Sequence, residues 1–245
     1  MTQTIDLALG LGFLLGLKHA TEADHIVAVS TIVSEQRSVW RSALVGALWG
    51  MGHTASLLIA GIIVISLRVA IPETIATYLE FGVALMIILL GSRVLYHALR
   101  DNRRIHVHAH THDGHTHTHL HFHDERSAHH PDELTDHAHH SHTIGRLGWK
   151  PVLVGMMHGL AGSAALTLLV LTEVMRGGSS ALGLIYLLVF GIGSIGGMLL
   201  MSALISLPFV FTAERFARIN TPVRLLAGVG SIFFGFYYAW EVWAS

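Results

Sequence analysis

Between Lys18 and His25 the chain places two histidines, two carboxylates and a lysine, in the run Lys18-His19-Ala20-Thr21-Glu22-Ala23-Asp24-His25. Apolar runs at 7–17 and 26–33 enclose them. An ionised side chain at the centre of a membrane span costs about 2.5–3.5 kcal/mol on insertion scales. Such a cluster inside an apolar segment is normally kept because something binds it. Imidazole nitrogen and carboxylate oxygen suit nickel, cobalt or zinc, and the chain has no cysteine to offer a thiolate. Helical geometry restricts how these groups converge. At about 100° per residue, His19, Glu22 and His25 form one stripe, while Asp24 points about 100° away from His25. Either the helix unwinds near Ala20–Ala23, or Asp24 accepts a histidine N–H and fixes the tautomer whose other nitrogen is free for metal. Lys18 is awkward beside a cation and is expected to pair with Glu22 or to reach toward an interface.

Two further histidines in apolar segments, His53 and His158, could complete the site. A lone membrane histidine is more often a helix–helix hydrogen-bond partner than a ligand. Glu80 is a weaker candidate and His97 is expected at an interface, while Glu173, Glu214 and Glu241 lie at span ends.

The elements that must carry these residues are membrane helices. Of 245 residues, 52% are hydrophobic and only 13% charged, against about 25% charged in soluble domains. A bilayer span takes about 20 apolar residues. Six stretches qualify, at about 5–33, 42–67, 74–99, 151–175, 180–207 and 222–243, the first broken by the polar cluster. The N-terminus lacks a basic n-region and a small-residue cleavage site, so it is expected to be retained. Net charge is −1 with histidines neutral, which gives no argument for nucleic acid.

Positive charge sets the orientation. The connections at 34–41, 100–150 and 208–221 and their flanking span ends carry twelve Lys and Arg, the opposite face only Arg68 and Arg176. The positive-inside rule then puts both termini outside. The segment 101–147 holds 15 of the 20 histidines, many at every second position. Little in it can form a core, so it is expected to be disordered without metal, cytoplasmic, and able to bind Ni²⁺, Co²⁺ or Zn²⁺ with little selectivity.

A shift of about 140 residues brings the halves into rough register. Gly16-Leu17-Lys18-His19 falls on Gly155-Met156-Met157-His158, and Trp49-Gly50-Met51-Gly52-His53 on Phe190-Gly191-Ile192-Gly193-Ser194. Gly82 and Gly91 fall near Gly228 and Gly235 with a slightly larger offset. Three spans per half give the halves opposite orientations, the arrangement of many secondary transporters. The expected fold is therefore all-α: a polytopic membrane protein of six transmembrane helices in two inverted three-helix repeats, 1–100 and 149–245, joined by the His-rich loop 101–148.

The run His19-Ala20-Thr21-Glu22-Ala23-Asp24-His25-Ile26 resembles the H-x4-D-H motif of the nickel/cobalt transporter family (NiCoT, within the NicO group). Gly52-His53-Thr54 is similar to its second histidine motif, and His158-Gly159-Leu160-Ala161-Gly162-Ser163-Ala164 to the second half of its short, UreH-like members. The resemblance implies a metal-recognition role for His19, Asp24 and His25, and for His53 by the second motif. Longer members place one more span before the motif helix and carry carboxylate-rich motifs in the second half that are not evident here.

The expectation is a secondary transporter of Ni²⁺, with Co²⁺ as a further substrate, whose site is built from His19, Asp24, His25, His53 and His158 with Glu22 nearby. It is not expected to be an enzyme and needs no resident cofactor. An iron hydroxylase would need about eight fixed histidines, and only five lie outside the loop. Its partners are the ion and the lipid bilayer, with a homo-oligomer left open. The motif leans slightly to uptake. Export, or delivery of nickel to a urease or hydrogenase without transport, are the alternatives.

Overall fold

A computed structural model of the chain describes residues 2–102, 105–112, 115–122, 148–175, 179–215 and 217–244. Its helices are α1 (Thr2–His19), α2 (Ala23–Val33), α3 (Val39–Leu67), α4 (Glu73–Asn102), α5 (Lys150–Met175), α6 (Ser180–Arg215) and α7 (Ala217–Ala244). A two-stranded antiparallel ribbon, β1 (Ile105–His112) and β2 (His115–Phe122), follows α4. Four helical stretches, Val39–Leu67, Glu73–Arg100, Ser180–Ala213 and Ile219–Ala244, are long and apolar enough to cross a membrane, and Ala23–Val33 is a shorter apolar helix. Large apolar side chains such as Leu89, Phe233, Trp240 and Trp243 stand exposed on them. Lipid matches such a surface and water does not.

The first apolar stretch is two helices rather than one. The Thr21 and Glu22 amides turn back onto the carbonyls of Lys18 and His19 at 2.8 and 3.1 Å, and the Thr21 hydroxyl donates to the Lys18 carbonyl at 2.6 Å. Glu22 is extended, with φ −66° and ψ 150°, so the chain re-enters helix at Ala23. Asp24 lies in the first turn of α2 and its carboxylate accepts the His25 amide at 2.9 Å. A negative group there satisfies one of the four orphan amides and suits the helix dipole. Of the two expected arrangements, the unwinding near Ala20–Ala23 is therefore present.

Packing joins elements distant in sequence. α3 packs on both α5 and α6, α4 packs along α7, and α1 lies on α6. Small residues make the approaches close. A methyl group on Gly16 would collide with the Phe190 carbonyl, and one on Gly155 with the Trp49 carbonyl. Gly52 abuts the Val152 carbonyl as Gly193 abuts the Phe13 carbonyl, and Gly91 and Gly228 face each other. The buried core gathers Val29, Val33, Trp49, Ile87, Ala161, Met198 and Phe209, from α2 through α6.

Two segments stand apart from the sequence reading. Within the segment expected to be disordered without metal, residues 105–112 and 115–122 form the two strands of the ribbon. There histidine alternates with Ile105, Val107, Ala109 and Thr111, then with Thr116, Thr118, Leu120 and Phe122, a period of two that suits a strand. The His-rich loop's residues 103–104, 113–114 and 123–147 lie outside the described residues. The second difference is at 208–221, expected as a connection. α6 instead runs 36 residues through Pro208, and α7 starts at Ala217 with Pro222 inside it. The Asn220 side-chain amide ties the two together, donating to the Phe209 carbonyl and the Thr212 hydroxyl, each at 3.1 Å.

Candidate metal centre

The break between α1 and α2 decides where the donors go. His19 ends α1 and Asp24 and His25 start α2, so side chains that one helix would splay apart now turn to a common point. α3 brings His53 and α5 brings His158. Gly159, next to His158, packs on the backbone of His53, and a side chain there would force α3 and α5 apart. Exposure falls steeply across the group: 54% for the Glu22 side chain and 15% for His19, but 1% for His25 and 2% for His158.

Asp24 is the organising carboxylate. Its Oδ1 lies 3.1 Å from His25 Nδ1 and its Oδ2 lies 2.7 Å from His158 Nε2. An ionised carboxylate can only accept, so both rings donate to it. Glu22 Oε2 meets His19 Nδ1 at 2.9 Å. The partner of Glu22 is therefore His19 rather than Lys18, because the turn at Ala20–Glu22 folds its side chain back over the end of α1.

What these contacts leave over is more informative. His25 Nε2, His158 Nδ1 and both nitrogens of His53 are buried with no hydrogen-bond partner among the described residues. Buried polar atoms are paired in the great majority of cases, and an unmade bond costs about 1–3 kcal/mol. Four unpaired imidazole nitrogens within one cluster are a donor set for a cation. The rings are close: His19 and His25 at 4.5 Å between centroids, His25 and His158 at 4.1 Å, His19 and His53 at 5.1 Å.

The donors do not collapse onto one point. Ligand atoms within 4.8 Å of one another form two triads, His19–His25–His53 and Asp24–His25–His158. All six sequence-selected residues thus lie at this locus, Glu22 as the partner of His19. Glu80 and His97 belong to neither triad.

Trp49 escaped the sequence reading. It is fully buried, stacks on His25 with centroids 5.4 Å apart, and meets the His158 ring edge-on at 5.5 Å. Its spacing of one helical turn before His53 was the available signal. Phe190 stands at 5.5 Å from His19 in the corresponding way.

Comparison with known proteins agrees with this chemistry. The NicO family model, described as a high-affinity nickel-transport protein, matches residues 7–227. The urease accessory protein UreH of Bacillus sp. (strain TB-90) is 36% identical over 238 residues, covering 96% of this chain and 91% of that protein. No solved structure matches the chain.

Proposed function

This chain belongs to the NicO family, and from that premise we propose that it is a secondary transporter carrying Ni²⁺, with Co²⁺ as a further substrate, across the cytoplasmic membrane. The observation that carries the proposal is the set of buried, unpartnered nitrogens on His25, His53 and His158. In an apolar interior such atoms cost free energy until a partner repays their desolvation, and a cation can do so at several of them at once. His19, His53 and His158 act as neutral nitrogen ligands, His25 as the central one, and Asp24 supplies the negative charge that a dication needs. Glu22, half in solvent, draws the ion toward His19.

The transporter reading includes six membrane passages arranged as two inverted repeats. Paired contacts support it. Gly16 on Phe190 and Gly155 on Trp49 exchange when each residue is replaced by the one about 140 positions away. Gly52 on Val152 and Gly193 on Phe13 exchange likewise, as do the ring pairs His19–Phe190 and His158–Trp49. In such a fold the site lies between halves that move against each other. Charge distribution supports outside termini and a cytoplasmic His-rich segment. The motif favours uptake.

The second reading, nickel delivery to a urease without transport, is favoured by the likeness to a urease accessory protein of Bacillus. Liposomes containing only the purified chain separate the two. Radioactive nickel accumulating above protein-free liposomes supports transport; bound nickel with no accumulation overturns it in favour of delivery.

A further inference from the structure

We infer that the cluster is a two-station relay: an ion held first by His19, His25 and His53 passes to Asp24, His25 and His158, with the His25 imidazole common to both stations. The inference rests on the transport reading for its direction of use, but its geometry is independent of that reading.

Three observations carry it. First, the two triads share one residue, His25, and neither includes the other's remaining ligands. The centroids of His53 and His158 are 6.3 Å apart, farther than the 4.1 Å from His158 to His25. Metal–nitrogen bonds of about 2.0–2.1 Å put two ligand atoms of one ion about 3–4 Å apart. Within each triad the ligand atoms already lie within 4.8 Å of one another, close to that spacing. Second, the two nitrogens of His25 have different surroundings. Nδ1 is held by Asp24 at 3.1 Å, and Nε2 is buried without a hydrogen-bond partner among the described residues. An ion arriving at the first station meets a bare Nε2 on a ring already oriented by Asp24. Third, the exposure gradient ranks the stations. The first ends at His19, 15% exposed beside half-exposed Glu22, and the second ends at His158, only 2% exposed on α5.

A relay of this form handles one ion at a time, because both stations need the same imidazole. It also divides the labour between the halves of the chain. The first station is made wholly by residues of α1, α2 and α3, and the second needs α5. Passage from one to the other is thus passage from the first half toward the second. The ion exchanges ligands pairwise around His25 and is never released to the apolar interior.

The test uses the full-length chain in lipid nanodiscs and liposomes, with the 15 histidines between 101 and 147 replaced by serine so that bound nickel reports the cluster. Two double variants each dismantle one station: His19→Asn with His53→Asn, and Asp24→Asn with His158→Asn. Size-exclusion profile and melting temperature establish that each folds. The parent should bind one nickel ion per chain. Each double variant should still bind one, at least tenfold more weakly, yet lose at least 90% of nickel flux, and His25→Asn should bind none. Two ions bound at once by the parent would overturn the relay. So would either double variant retaining half the flux, or one abolishing binding while the other leaves it unchanged. Failure of the transport reading looks different: the parent then moves no nickel while the binding pattern of the variants persists.

Discussion

Asp24 and His158 are 134 positions apart in the chain, yet Asp24 Oδ2 and His158 Nε2 meet at 2.7 Å. The bond ties the start of α2 to the middle of α5 at the heart of the cluster. Asp24→Asn keeps the shape but removes the charge and one of the two acceptors. Nickel flux in liposomes is expected to fall more than tenfold, with the protein still folded. Flux within twofold of wild type would remove Asp24 from the ion path.

Glu22 gives a contrasting case. Its side chain is half exposed and its partner is His19 at 2.9 Å. Exposed ion pairs contribute about 0–1 kcal/mol. Glu22→Gln is expected to raise the nickel concentration for half-maximal flux by a few-fold and to leave the maximal rate unchanged. A loss as large as that of Asp24→Asn would make Glu22 a ligand in its own right.

The glycine contacts predict stability rather than transport. Gly16→Ala and Gly155→Ala each drive a methyl into a backbone carbonyl, and overpacking of this kind costs about 1–3 kcal/mol. Melting temperature should fall by a similar amount in both. Gly10→Ala and Gly82→Ala meet nothing within 4 Å and should leave it unchanged or slightly raised, since alanine is the better helix former. Equal effects at all four positions would contradict the packing.

Arg68 closes α3 in the left-handed region, with φ 54° and ψ 37°. A non-glycine residue costs about 1–2 kcal/mol there. Arg68→Gly should raise the melting temperature and leave nickel flux alone. A lower melting temperature would mean that the arginine side chain contributes more than its backbone costs.

Residues in the β1–β2 ribbon pair His106 with His121, His108 with His119, His110 with His117 and His112 with His115. Neutral imidazoles at this density bind divalent transition metals with little selectivity. Replacing these eight histidines with serine should lower the nickel bound per chain while sparing flux at saturating nickel. Lost flux at saturation would make the ribbon part of the pathway.

Much of this was legible in the sequence because local chemistry dictated it. The angular mismatch of Asp24 with His19 and His25 required a broken helix or an indirect role for Asp24. The structure has both the break and a bond from Asp24 to His25. His53 and His158 were found because a titratable side chain in an apolar run is costly wherever the run packs. The division of the donors into two triads was not legible. It depends on how far α3 and α5 stand from the turn at Ala20–Glu22, which the glycine contacts set and no local pattern encodes. The ribbon was missed for another reason. Histidine composition argues for disorder without metal, while the period of two beneath it argues for a strand. The helical spacing that made Glu22 one of two expected partners of Lys18, the other being an interface, ceases to apply once the helix ends at His19.

The seams between α1 and α6, and between α3 and α5, are bare backbone against bare backbone at Gly16, Gly193, Gly52 and Gly155. Interdigitated side chains must swap rotamers before one helix can slip past another. Glycine on carbonyl has no rotamer to swap, and only weak Cα–H···O contacts to break and remake. At these four points the spacing of the helices is set by main chain alone, so that a single added methyl would reset it.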